Sequence, residues 1–257
     1  MHDSRVYGFT TDVALEIARG RCGGAEPFGA YGRIETSGGV TNNLLWANGT
    51  WYIPSSSGEQ ISVVSTSAND TDGGTGANTI HIHYLDDELV PQIETLTMNG
   101  LTPVLTIATN IRFIQCSHLA TFGTLKAAAG NILFQNIALT KLYNEIGATQ
   151  IRCSSSLRMV PKNKRAVVVG LVGSSISGTA AARAEISMAV SYFLDTDYTQ
   201  DEMIIPIASI GAQDMGLAYT LPIPHIAPEG TLVGMKVTTD KAAIITGDWF
   251  GWLEDAE

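Results

Sequence analysis

Between Thr79 and Leu85 the side chains alternate strictly, with Ile80, Ile82 and Tyr84 on one face and His81, His83 and Leu85 on the other. A period of two belongs to a strand, because a helix would bring residues three and four apart onto one face. The same alternation returns at Glu185–Leu194, where Ile186, Met188, Val190, Tyr192 and Leu194 share a face. Further strands are expected near Gly29–Glu35, Asn43–Trp46, Gln60–Ser67, Pro91–Met98, Leu101–Leu105, Ile111–Ser117 and Asn131–Asn136. Beyond the middle of the chain they are expected at Arg165–Val172, Met203–Ile210, Leu217–Leu221, Leu232–Val237 and Ala242–Leu253. The 26 glycines and the Ser/Thr/Asn clusters that separate these runs supply turns at the roughly 8–12-residue spacing of a β-sandwich or barrel. Asn99-Gly100 is expected to close a type I′ hairpin between Ile93–Met98 and Leu101–Leu105.

The expected fold class is all-β, with two antiparallel, jelly-roll-like β-sandwich domains. Residues 1–30 read as an N-terminal arm, 31–138 as the first sandwich and 151–257 as the second. Between them, in 139–150, Leu139, Leu142, Tyr143 and Ile146 have helical spacing and Gly147 stands where a helix would end, so a short connecting helix is expected.

The stretch Asp72 to Val104, DGGTGANTIHIHYLDDELVPQIETLTMNGLTPV, carries a resemblance as well as a strand pattern. It resembles a pattern found among virion structural proteins of tailed bacteriophages: a GTGA-like turn before a strand, then a hairpin, with a second β-domain in the C-terminal half. The matching positions are Gly74 to Ala77, Leu85-Asp86, Glu94-Thr95 and Thr97 through Val104. The resemblance implies a non-enzymatic structural role in a virion, with other virion proteins as partners. An outer capsid decoration protein is the first reading; a neck or tail component, or a carbohydrate- or receptor-binding module at a tail or fibre, are the alternatives.

Charge and composition agree with a particle component. The formal charge is −10, from 25 acidic and 15 basic residues, which disfavours direct binding to nucleic acid. Its distribution is polar: Lys141, Arg152, Arg158, Lys162, Lys164 and Arg165 are opposed only by Glu145 between 141 and 165, whereas beyond Arg183 only Lys236 and Lys241 offset twelve acids. Such polarity suits docking of one subunit onto another, so a homo-oligomer is expected; the plain alternative is a solvated edge. No apolar run approaches the ~20 residues of a membrane span, and MHDSRVYGFT lacks the features of a signal peptide. Synthesis in a host cytoplasm and residence in the virion are the expected locations.

No residue carries a catalytic, cofactor-binding or metal-ligating assignment, and no cofactor is expected. Cys22, Cys116 and Cys153 are odd in number and widely separated, which reads as small buried hydrophobes rather than a disulfide framework or zinc site. His81 and His83, near Asp86 and Asp87, could converge on a metal, but no third ligand has matching spacing. Asp70-Thr71-Asp72-Gly73 opens like a calcium loop, yet its twelfth position is His81 and not Glu. Asp195, Asp197, Asp201 and Glu202 form a second acidic loop. Gly173-Ser174-Ser175-Ile176-Ser177-Gly178 fails the Gly-x-Ser-x-Gly pattern and reads as a hairpin loop, and Gly73 to Gly76 lacks the Lys-Ser/Thr of a phosphate loop. Trp46 and Trp51, and Trp249 and Trp252, could line a sugar-binding surface or pack in a core or interface.

Overall fold

A computed structural model describes residues 24–46, 52–176, 183–191, 202–211 and 216–256. Among these residues the fold is all-β, with sixteen strands and no helix. In chain order they are β1 (Glu26–Thr36), β2 (Val40–Leu44), β3 (Ile61–Ser65), β4 (Ala77–Asp86), β5 (Pro91–Thr97), β6 (Val104–Leu105), β7 (Ile111–Phe122) and β8 (Ile132–Asn136). There follow β9 (Leu142–Ile146), β10 (Arg158–Met159), β11 (Lys164–Ile176), β12 (Arg183–Ser191), β13 (Glu202–Gly211), β14 (Gly216–Ala227), β15 (Leu232–Thr239) and β16 (Ala243–Asp255).

The strands form four small antiparallel sheets. One has the order β1-β16-β11-β14; a second runs β10-β15-β12-β13, with β2 also paired to β15. The other two, β6-β3-β8-β9 and β5-β4-β7, are built wholly from the stretch between Ile61 and Ile146. Strand pairing therefore divides the chain differently from the expected boundaries. β1 and β2 hydrogen-bond with β16 and β15 from the far end of the chain, and the stretch from Ile61 to Ile146 is an excursion between β2 and β10.

Three further expectations are corrected. The connecting helix does not form: Leu142–Ile146 is β9, paired with β8, and Tyr143 and Ile146 enter the core from it. Helical spacing in so short a run is outweighed by tertiary pairing that buries the same residues. Asn99-Gly100 does not close a hairpin within one sheet. Only Gly100 has a positive φ, 59°, and the turn hands the chain from β5 to β6, which pairs with β3 in a different sheet. The serine-rich stretch after Val172 is strand as far as Ile176, and Ser174 Oγ lies 2.7 Å from Thr246 Oγ1 across the β11–β16 pair. Residues 1–23 of the expected arm lie outside the described residues, while Glu26 to Ala30 are already strand.

The apolar periodicity fills three cores. The first draws Ile34, Val168, Ile186, Met235, Ile245 and Trp249 from the two sheets that contain β1 and β15. The second draws Ile61, Ile80, Ile82, Leu119, Ile132 and Phe134 from the two excursion sheets. A third, with Trp46, Leu85, Phe113, Met159 and Leu232, lies where they meet. Leu85 enters that third cluster from the face it shares with the histidines: β4 pairs with β5 without a break from Thr79 to Leu85, and the extra residues at the two β4–β7 slips lie on β7, which sets Leu85 opposite buried Phe113.

Buried Asp70 ties the excursion together. Its carboxylate accepts hydrogen bonds from Ser65 Oγ at 2.6 Å, Ala77 N at 2.7 Å, Ala129 N at 2.8 Å and Gly130 N at 2.9 Å. The calcium-loop resemblance of Asp70 to Gly73 is thus explained without an ion: backbone amides satisfy this carboxylate. Gly76 is required beside it, since a Cβ there would overlap Asp70 Oδ1.

Candidate functional site

The chemically richest surface lies on β4 and β7. Antiparallel pairing sets His81 opposite His118 and His83 opposite Cys116. Because residues two apart share a face, His81, His83, Cys116 and His118 form one patch on the outer side of the β5-β4-β7 sheet. The His118 ring stacks on His83 at 5.2 Å and 25°, and meets His81 edge-on at 5.2 Å and 64°. His81 Nδ1 is 2.9 Å from Thr95 Oγ1 on β5. Burial, with the neighbouring imidazoles His118 and His81, lowers the His83 pKa below its ordinary value; burial and then His81 do the same for His118.

Rings stacked face to face do not point their nitrogens at a common centre. Among the described residues no group of three or more His, Cys, Asp or Glu is placed to hold a metal ion. Asp86 instead caps the turn after β4, accepting from the backbone N–H groups of Glu88 at 3.0 Å and Val90 at 2.9 Å, while Asp87 accepts from Asn110 at 2.7 Å.

Behind His83 lies a thiol pair. Cys116 and Cys153 have their sulfurs 3.7 Å apart, in hydrogen-bond contact. Cys153 is buried and Cys116 half-buried. Their shared hydrogen bond, with burial, pushes the Cys116 thiol up; the same bond, helped by Arg158 and opposed by burial, pulls the Cys153 thiol down. Arg158 is fixed by donating Nη1 to the carbonyls of Leu157 at 2.6 Å and Ser155 at 3.3 Å. Arg152 lies over the Tyr31 ring, 5.7 Å from its centroid. Asp248, whose pKa burial raises and Arg152 partly restores, completes the wall.

These groups line two adjoining cavities. A pocket of about 330 Å³ is walled by Tyr31, Cys116, Arg152, Cys153, Arg158 and Asp248. An open groove of about 710 Å³ shares Cys116 and Arg158 with it and continues past Phe28, His83, Tyr84 and Ile93. The arrangement offers thiol chemistry beside two guanidinium groups. It does not assemble a cysteine–histidine dyad, since Cys116 bonds to Cys153 and the Ser117 carbonyl, not to an imidazole.

Of the residues considered from sequence, His81 and His83 come together and are joined by His118, whose i, i+2 relation to Cys116 repeats the spacing of His81 and His83 and could have flagged it. Cys116 and Cys153 are brought together by an isolated bridge between His118 and Arg152, which no spacing rule announces. Trp46 and Trp249 are each 1% exposed, so they are core residues and cannot serve as a sugar platform. Trp252 is half-buried, its Nε1 donating to Glu254 at 3.4 Å. Trp51, Cys22, Asp195, Asp197, Asp201, Ser177 and Gly178 lie outside the described residues. The basic stretch is largely occupied within the chain: Lys162 pairs with Glu88 at 2.8 Å, Lys164 with Asp255 at 2.9 Å and Glu26 at 3.2 Å, and Arg165 with Glu254 at 2.6 Å.

No protein-family model and no curated protein matches this sequence. Among solved structures, the chain is similar to the infectious bursal disease virus VP2 subviral particle, at 8% identity and a TM-score of 0.18, over 91% of this chain and 77% of that one. A structure of the Gx strain of the same virus gives 7% and 0.17, with the same coverage. Both scores lie far below those of a shared fold and carry no argument.

Proposed function

We propose that this chain is a non-enzymatic structural protein of a tailed-phage virion, an outer capsid decoration protein that acts through protein–protein contacts. The observation that carries the reading is an apolar surface beside two open sheet edges. β5 is an edge strand of its sheet and β6 of the neighbouring one. Glu94 on β5 accepts the backbone N–H groups of Ile107 at 2.6 Å and Ala108 at 3.1 Å, bringing the segment after β6 against β5. Ile107 is 87% exposed there, with Leu101 and Leu105 also exposed, and Ile93, 64% exposed, stands on the other, histidine-bearing face of β5. Natural edge strands are normally blunted by charge or cover, and a cluster of exposed aliphatic side chains marks a surface that another protein covers. The segment that resembles phage virion proteins, Asp72 to Val104, builds β4 and β5 and carries Ile93 and Leu101.

Strand order supports the same class. Counting β1, β2 and β11 to β16 as eight successive strands, β1-β16-β11-β14 reads 1-8-3-6 and β2-β15-β12-β13 reads 2-7-4-5. That is the order of a single jelly roll, an architecture of capsid and lectin domains, with the Ile61–Ile146 stretch inserted between its second and third strands. Fold alone does not choose between those uses. Burial of Trp46 and Trp249 removes half of the aromatic surface that the sugar-binding alternative requires. Each contact would contribute modestly, and the summed burial over many copies would hold the particle.

Native mass spectrometry of the full chain, unaltered and as the Ile93→Glu/Ile107→Glu double variant, tests the surface. The expected result is an oligomer that the double variant dissociates while its far-ultraviolet circular dichroism is unchanged. A monomer in both, with no binding to capsids of the encoding phage, would overturn the proposal.

A further inference from the structure

We propose that Cys116 and Cys153 are an oxidisable dithiol that closes into a disulfide when a small two-electron oxidant of the peroxide class enters the cavity beside them. Their sulfurs, 3.7 Å apart, need to approach by about 1.7 Å to reach the bonded separation of ~2.05 Å, a movement on the scale of side-chain rotation. The backbones that carry them are already held together. Cys153 N–H donates to the Ser117 carbonyl at 2.9 Å, and Leu119 N–H donates to the Ile151 carbonyl at 2.9 Å.

Access and activation come from the same walls. Both thiols line the pocket of about 330 Å³, ample for a peroxide. Arg152 and Arg158 stand in it, and the fixed guanidinium of Arg158 favours the thiolate over the thiol. The pair's thiolate attacks one peroxide oxygen, the O–O bond breaks and hydroxide leaves, giving a sulfenic acid. The second sulfur then attacks the sulfenyl sulfur, the S–S bond forms, and the sulfenic oxygen departs as water. Overall, two thiols and one hydrogen peroxide give one disulfide and two waters, the sulfurs losing the two electrons that the peroxide gains. Neither cysteine alone would do this; burial reads each of them as inert packing.

The bond would staple β7 to the segment that leads into β10, across a separation of 37 residues, and so restrain the junction between the excursion sheets and the rest of the fold. The test treats the native full-length protein with hydrogen peroxide, blocks remaining thiols with N-ethylmaleimide, and maps peptides by mass spectrometry. The expected result is one linked peptide pair containing Cys116 and Cys153, with only Cys22 of the three cysteines alkylated. Dithiothreitol should restore alkylation at all of them, and the oxidised form should melt several degrees higher, as a disulfide closing a loop of this size does. That rise should persist in Cys22→Ser and vanish in Cys116→Ser. Full alkylation of Cys116 and Cys153 after peroxide, sulfinic acid at either without a link, or a link through Cys22 would each overturn the proposal.

Discussion

Asp70 accepts the backbone N–H of Gly130 at 2.9 Å although sixty residues separate them in the chain. This contact, with those to Ser65, Ala77 and Ala129, makes one carboxylate the meeting point of the β3–β4 turn and the loop before β8. Removing it leaves three amides, those of Ala77 and Gly130 buried and that of Ala129 half-buried, without this acceptor. Asp70→Ala is expected to cost about 3 kcal/mol or more, from charged hydrogen bonds worth roughly 1.5–3 kcal/mol each that do not add fully. Urea denaturation followed by fluorescence checks it; a loss below about 1 kcal/mol would mean that water replaces the carboxylate.

Trp249 is the corresponding anchor in the other half. Its indole Nε1 donates to the Ser156 carbonyl at 2.6 Å and its ring meets Phe28 edge-on at 5.2 Å. Trp249→Phe deletes the hydrogen bond and leaves a void beside buried main chain, for an expected loss of about 2–3 kcal/mol in denaturant titration.

The histidine patch makes stability depend on pH in a definite direction. His83 and His118 have folded pKa values below the ordinary 6.5, so in the window below 6.5 the unfolded chain binds more protons than the folded one. Their contribution is full above pH 6.5 and is lost as pH falls through that value towards the folded pKa. His225, lowered by burial, adds to the slope, whereas Asp248, raised by burial, acts oppositely in the more acidic carboxylate range. Urea midpoints should fall between pH 7.5 and 5.5, and His83→Gln/His118→Gln should flatten that fall. An unchanged slope in the double variant would assign it elsewhere.

Two glycines separate space from propensity. A Cβ at Gly251 would overlap the Val167 carbonyl across the β16–β11 pair, whereas one at Gly38 meets nothing within 4 Å. Gly251→Ala should cost about 2 kcal/mol or more, and Gly38→Ala should stay within about 0.5 kcal/mol of the parent chain. Equal effects at the two positions would contradict the packing described for β16.

Much of the strand content was legible because alternation writes burial directly into the sequence. Thr79–Leu85 lies within β4, and the long runs after Arg165 match β11 and β16. What alternation omits is the partner. Nothing near Gly29 says that it will lie opposite Phe250, nor that the chain will leave after Leu44 and return at Arg158. Leu142 to Ile146 misled because five residues satisfy either period, and only pairing with β8 decides. At the site, His81 and His83 were visible as a pair, but His118 and the two cysteines joined them through register and an isolated bridge.

Mass spectrometry of density-banded particles purified from the lysate in which this chain is made tests its proposed role as a virion component most directly. The account predicts the chain in the particles at fixed stoichiometry to the major capsid protein, and its loss from them when Ile93 and Ile107 are replaced by Glu. Abundant chain in the lysate with none in the banded particles would contradict it.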